Sequence, residues 1–141
     1  MTIPLDSKAK ALAIARASLD KKAVDVLVLY VAQLTSIADY FVLCSGESER
    51  QVRAIADSID ETLSRQQSPP LGMEGGPTAK WIVMDFGDVV VHIFHQAVRD
   101  HYGLEKLWAD AKRVRIPAAS TVSPTKPRLR RAKPRPSRAA Q

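Results

Sequence analysis

Cysteine is nearly missing from this chain: Cys44 is the single one among 141 residues. One thiol supports neither an intrachain disulfide framework nor a zinc site built from cysteines alone. Long apolar runs are missing too, since none approaches the roughly 18 residues that span a bilayer. The opening MTIPLDSKAK holds no apolar stretch of signal-peptide type. A cytoplasmic protein is therefore the expectation. No internal repeat is visible. Acidic residues are absent from position 116 onward, while seven cations stand there: Lys126, Arg128, Arg130, Arg131, Lys133, Arg135 and Arg138.

What is present fits one globular domain. About 45% of the residues are hydrophobic, and the net charge is +6. Taking away the seven tail cations leaves 14 basic and 15 acidic residues, a net of −1. The excess positive charge thus belongs to the tail. That segment also carries Pro117, Pro124, Pro127, Pro134 and Pro136 and almost no large apolar side chain. It cannot bury enough surface to offset the entropy of ordering. The expected division is a domain over 1–115 and a disordered basic tail over 116–141.

Along the chain, Asp6 or Ser7 can cap a first helix that ends near Lys21 and Lys22, with Leu12, Ala15 and Leu19 at helical spacing. VDVLVLYV (24–31) is β-branched and apolar, as an inner strand is. TSIADYFVLCSG (35–46) reads as a turn and a second strand. Ser48 and Gln51 make a capping box, and Val52, Ile55, Ala56, Ile59 and Leu63 form one buried helical face. The Pro/Gly-rich 68–78 segment leaves room for a short strand at 71–74. WIVM and DVVVHIF (81–84 and 88–94) then form a hairpin, with Asp85, Phe86 and Gly87 as its loop and Gly87 in the left-handed position. A last helix carries Leu104, Leu107, Trp108 and Ala111 on one stripe, which places Leu107 and Trp108 in the core. Gly103 stands just ahead of it, where it allows a division into two short helices. The order α-β-β-α-(β)-β-β-α indicates an α/β fold, a mixed sheet flanked by helices.

Chemical readings of the motifs are each matched by a plainer one. Asp85 and Asp88 resemble paired carboxylates, yet turns favour Asp because its side chain binds nearby amides. His92 and His95 lie three apart on a strand and point to opposite faces, so they do not grip one ion together. His92 reads as a satisfied, partly buried histidine. Ser45-Gly46 precedes a helix, as phosphate corners do, but Glu47 and Glu49 bring negative charge there. Cys44 sits in an apolar strand and reads as a buried structural thiol. Trp81 is either core or a contact anchor. Tyr102 poses the same choice, and Arg99, Asp100, Glu105 and Lys106 around it suggest a solvated rim or a partner surface. No metal and no cofactor are expected.

LTSIADYFVLCSGESERQVRAIADSI, then EG, then WIVMDFGDVVVHIFHQAVRDHYGLEKLWADA resemble the ribosomal silencing factor family, also called Iojap-like. DKKAVDVLVLYV fits it as well, so the resemblance spans about residues 5–112. It implies an α/β fold related to nucleotidyltransferases in a family not known as enzymes. It implies binding to the large ribosomal subunit through its fourteenth protein, on the inter-subunit face. It also implies hindrance of small-subunit joining when nutrients are short, a role in large-subunit assembly among organellar members, and self-association as a homodimer. The nucleotidyltransferase pattern of Gly-Ser plus D-x-[DE] is not matched: this chain has Ser45-Gly46 in reverse order and Asp85 and Asp88 three apart. The expectation is a non-catalytic binding surface.

By that resemblance the contact residues are Trp81, Arg99, Tyr102, Leu104, Glu105 and Lys106. Ribosomal RNA is the expected partner of the seven tail cations. The competing readings are an assembly factor without silencing, a nucleotide-handling enzyme that keeps the ancestral chemistry, and a plain RNA-binding module acting through the tail.

Overall fold

The computed structural model describes residues 6–75 and 80–117. The tail cations Lys126 to Arg138 lie outside the described residues. The elements are α1 (Ser7–Asp20), β1 (Val24–Tyr30), β2 (Tyr40–Gly46), α2 (Glu49–Arg65), β3 (Gly72–Glu74), β4 (Trp81–Asp85), β5 (Val89–His95), α3 (Gln96–Tyr102), α4 (Leu104–Leu107) and β6 (Lys112–Val114). One sheet runs in the order β3-β4-β5-β2-β1-β6. β2 and β5 are parallel, and every other pair is antiparallel. This is the expected mixed sheet with helices against it. β6 is an addition: Lys112 and Arg113 disguise a strand so short that its pairing with β1, not its composition, creates it.

α1 and α2 cover one face of the sheet. Asp6, rather than Ser7, caps α1 by accepting the Ala9 amide at 2.7 Å. The buried residues are Ala11, Ile14, Ala15, Ala17 and Ser18; of the expected Leu12, Ala15 and Leu19, Ala15 alone is among them, and Leu19 is exposed. Small residues face inward because α1 packs closely against both α2 and the sheet. On α2 the expected face is the buried one: Val52, Ile55, Ala56, Ile59 and Leu63. Its capping box is present in a shifted form. Ser48 Oγ accepts the Gln51 amide, and Gln51 Oε1 accepts the Glu47 amide at 2.6 Å. The Gln51 side-chain amide also donates to the Lys21 and Lys22 carbonyls, tying α2 to the end of α1.

The β4–β5 hairpin turns one residue later than expected. Asp85 still pairs with Val90, so the loop is Phe86 to Asp88. Gly87 takes φ +90° there, a region that costs an L side chain but not glycine. Asp85 Oδ1 accepts the Gly87 amide at 2.7 Å, the local bond that makes Asp a turn residue. Asp88 reaches across to α1, with Lys10 Nζ at 2.7 Å and the Ser7 hydroxyl also donating. Burial opposes ionisation of Asp88, but the Lys10 and Ser7 hydrogen bonds prevail and hold its carboxyl below its ordinary value.

Candidate docking surface

The other face of the sheet is covered more thinly, by the short helices α3 and α4. The pleat brings together Trp81 and Val83 from β4, Val90, His92 and Phe94 from β5, and Phe41 and Leu43 from β2. These side chains form a second core with Leu29, Val31, Ala38 and Ala111, against which Leu27, Val98, Leu104 and Trp108 pack.

An unbroken aromatic series crosses this face. The Trp81 indole lies on Phe94 with centroids 5.1 Å apart and planes 27° apart. Its Nε1–H donates to His92 Nδ1 at 3.2 Å. His92 meets Phe41 nearly edge-on at 5.4 Å, and Phe41 meets Trp108 in the same way at 5.0 Å. His92 is therefore the satisfied, buried histidine expected. Burial pushes its pKa down to about 4. The neutral ring fits the geometry, since a protonated Nδ1 cannot accept the indole hydrogen. His95 takes no part in this series and instead caps α3 by accepting the Ala97 amide.

Trp81, Val83, Val90, Val98, Leu104 and Trp108 are half-buried. They give the face an apolar rim that the short helices do not close. Trp81 is packed on one side against this core and reachable on the other. Trp108 is half-buried rather than deep, because α4 ends at Leu107 and leaves its ring on Phe41. Of Leu107 and Tyr102, only the helical backbone belongs to the described residues.

Arg99 departs from expectation. It stands not on a solvated rim but buried, with 7% exposure. Its Nε donates to Glu105 Oε1 at 2.6 Å, and its Nη1 donates to the Asp25 carbonyl at 2.7 Å and to the Ser45 hydroxyl at 2.9 Å. The Asp25 carbonyl is presented by a bulge in β1, where the register against β2 shifts between Val24 and Leu27 and Asp25 adopts φ +52°. One guanidinium therefore joins α3, α4, β1 and β2. Glu105 is partly exposed and Lys106 exposed. Of the six expected contact residues, Trp81, Leu104, Glu105 and Lys106 retain accessible surface, and buried Arg99 holds Glu105.

Gly103 divides α3 from α4 with φ +59°, as its place in the sequence allowed. Replacing it with alanine forces a left-handed L residue. The expected cost is about 1 kcal/mol of stability, read from a denaturant melt of the Gly103→Ala protein.

The chemical alternatives are engaged elsewhere. Asp85 and Asp88 are committed to the turn and to α1. The Glu47 and Gln51 amides, which a phosphate at the Ser45-Gly46 corner would seek, are bonded to the chain itself. Burial pushes the Cys44 thiol up to about 12, against smaller pulls from Arg99 and Ser18. No cluster of three or more metal-ligating side chains occurs among the described residues. Nor, among the described residues, is any helix long and apolar enough to cross a membrane.

A mixed six-stranded sheet with one thickly and one thinly covered face defines an α/β domain. The family model described as "Ribosomal silencing factor during starvation" matches residues 4–141, and the chain belongs to that family. It is 46% identical over 92 residues to "Ribosomal silencing factor RsfS" of Bacillus subtilis, covering 65% of this chain and 78% of that one. It is 33% identical over 87 residues to "Mitochondrial assembly of ribosomal large subunit protein 1" of Mus musculus, covering 60% and 38%. A crystal structure of a Chromobacterium violaceum protein matches with a TM-score of 0.73 and 33% identity, over 82% of this chain and 97% of that one.

The sequence pointed to Trp81 but not to its companions. Phe41, His92 and Phe94 were each accounted for as strand residues. Period-two alternation through 81–85 and 90–94 was the available signal that they share a face.

Proposed function

We propose that this protein is a ribosomal silencing factor that docks on the large ribosomal subunit, at the fourteenth protein of its inter-subunit face, and occludes the small subunit. The observation that carries the reading is the half-buried aromatic face, with Trp81 stacked on Phe94 and hydrogen-bonded to His92, and with Leu104 packed against the same core. Family membership supplies the partner class. Large, rigid aromatics with one reachable side are the usual anchors of protein contacts. Occlusion needs occupancy rather than catalysis. At a free concentration 100 times Kd, a competitor must overcome about 2.7 kcal/mol.

The test is sedimentation of the purified protein with separated subunits, followed by a subunit-joining assay. It is expected to travel with the large subunit and to reduce joining. Trp81→Ala should weaken docking by about 2 kcal/mol, roughly 30-fold. Its lost stacking also lowers stability, so the comparison is made at a temperature where circular dichroism shows the variant folded. Co-sedimentation with the small subunit, or full joining inhibition by folded Trp81→Ala, would sink the reading. The name of the mouse relative favours a second outcome, large-subunit assembly through the same face. That role predicts docking on precursor particles without reduced joining of mature subunits.

A further inference from the structure

The geometry points to a second contact surface, an RNA-binding groove at the β6 edge of the sheet, on the folded domain itself. A cavity of about 420 Å³ opens there, lined by Lys8, Tyr30, Tyr40, Lys112, Arg113, Val114 and Arg115. Four of these seven residues are cationic and none is acidic. Lys8, Lys112, Arg113 and Arg115 are all exposed, and none enters a salt bridge among the described residues. Residues 1–115 carry a net charge of −1, so this concentration of one sign is local and not a property of the whole domain.

Its construction follows from the register. β6 adds to β1 with Lys112 opposite Tyr30 and Val114 opposite Val28, which lays Lys112 beside the tyrosine, while Arg113, opposite Leu29, turns its side chain to the other face near Asp25 and Glu105. Tyr30 and Tyr40 meet with ring centroids 5.2 Å apart and planes tilted by 57°. Tyr40 is buried and fixes the pair, while Tyr30 is half-buried and keeps part of its ring open to the groove. Lys8 overhangs from the first turn of α1. Two carboxylates, Asp6 and Asp39, act on Tyr40 across space but are not part of the groove lining.

Cations along a groove with an aromatic platform at its floor are the elements that hold single-stranded nucleic acid. The cations follow phosphates, and the ring stacks a base without regard to sequence. A purely acidic protein segment would use the charges but has no need of the tyrosine platform. Continuity adds to the argument. The strand that supplies Lys112 and Arg113 leads through Arg115 towards the tail, and no acid follows it to the end of the chain. The occupant is accordingly a single-stranded or looped RNA. The groove lies at the opposite sheet margin from Trp81, with β5, β2 and β1 between. A docked domain would therefore present it to a different neighbour.

Fluorescence anisotropy of the full chain with a short labelled single-stranded RNA, free of ribosomal protein, tests this independently of the docking surface. Salt is varied between about 50 and 200 mM. Replacing Lys8, Lys112 and Arg115 with glutamine should make the slope of log K against log salt shallower by about 2.1, at about 0.7 per phosphate contact on a single strand. The tail cations remain and keep their own share. If the threefold variant does not fold, Lys112→Gln with Arg115→Gln should remove about 1.4. Tyr30→Leu should weaken binding about fivefold or more at fixed salt with the slope retained. An unchanged slope in a folded charge variant overturns the proposal. So does poly-glutamate binding as tightly as the RNA and losing that affinity in the same variant, since the surface would then be a site for acidic protein.

Discussion

Replacing Arg99 with alanine is expected to lower stability by about 3 kcal/mol. Three contributions enter. The Ser45 hydroxyl, fully buried, loses its donor. The Asp25 carbonyl loses the bond that steadies a left-handed non-glycine residue. The space filled by the guanidinium and its stem is left open. The Glu105 ion pair adds little, because the Glu105 side chain is 38% exposed and water can replace the partner. Glu105→Gln should accordingly cost less than about 1 kcal/mol. Arg99→Lys should fail to rescue, since one ammonium on a flexible stem cannot bridge three acceptors spread over α4, β1 and β2. Urea melts of the three variants would check the ranking. A loss for Arg99→Ala no larger than that for Glu105→Gln would show that the guanidinium holds only a surface ion pair.

The second large effect is with pH. His92 has a folded pKa of about 4 against an ordinary 6.5 because burial disfavours its charged form. Above pH 6.5 the ring is neutral in both states and folding is not opposed. As pH falls below 6.5 the unfolded chain takes up a proton that the folded one refuses, so stability declines. By pH 4 the loss reaches about 3 kcal/mol. Between pH 6.5 and 5 the slope attributable to this residue averages about 1 kcal/mol per unit. Asp88 adds its own loss at lower pH, as its depressed pKa is approached and crossed. Subtracting the profile of His92→Gln isolates the imidazole and removes the other histidines from the comparison. Glutamine can still accept the indole hydrogen, so the Trp81 position is retained. A wild-type and a His92→Gln profile that run parallel between pH 6.5 and 5 would refute the assignment.

Strands and helices were legible wherever one physical signal dominated. The α2 stripe at 52, 55, 56, 59 and 63 met no competing pattern, and all five residues are buried. α1 was placed correctly but its buried face was misjudged. Large Leu12 and Leu19 marked the stripe, whereas close packing against α2 and the sheet selects Ala11, Ala15 and Ser18. β6 was hidden because Lys112 and Arg113 look like the start of the basic tail, and only the open edge of β1 makes them a strand. Ile116, assigned to that tail, packs against the first core.

The site was half legible for a related reason. Trp81 stands out in composition. The inward turn of Arg99, however, depends on a bulge at Asp25 and a serine at position 45, distant in sequence. No local pattern tells a buried arginine from a surface one when its acceptors come from other strands.

The central seam of the sheet is its single parallel pair. Tyr40 lies opposite Val89 and Gly46 opposite His95, a separation of about fifty positions, so closing it costs loop entropy before any contact repays it. A chain emerging from its own ribosome carries β2 for the whole time that α2, β3 and β4 are being made, with no permanent neighbour on that side. Folding must therefore wait until the β5 segment has cleared the exit tunnel. The β1–β2 pair can assemble beforehand with α1 and with α2, whose Gln51 ties it to the end of α1.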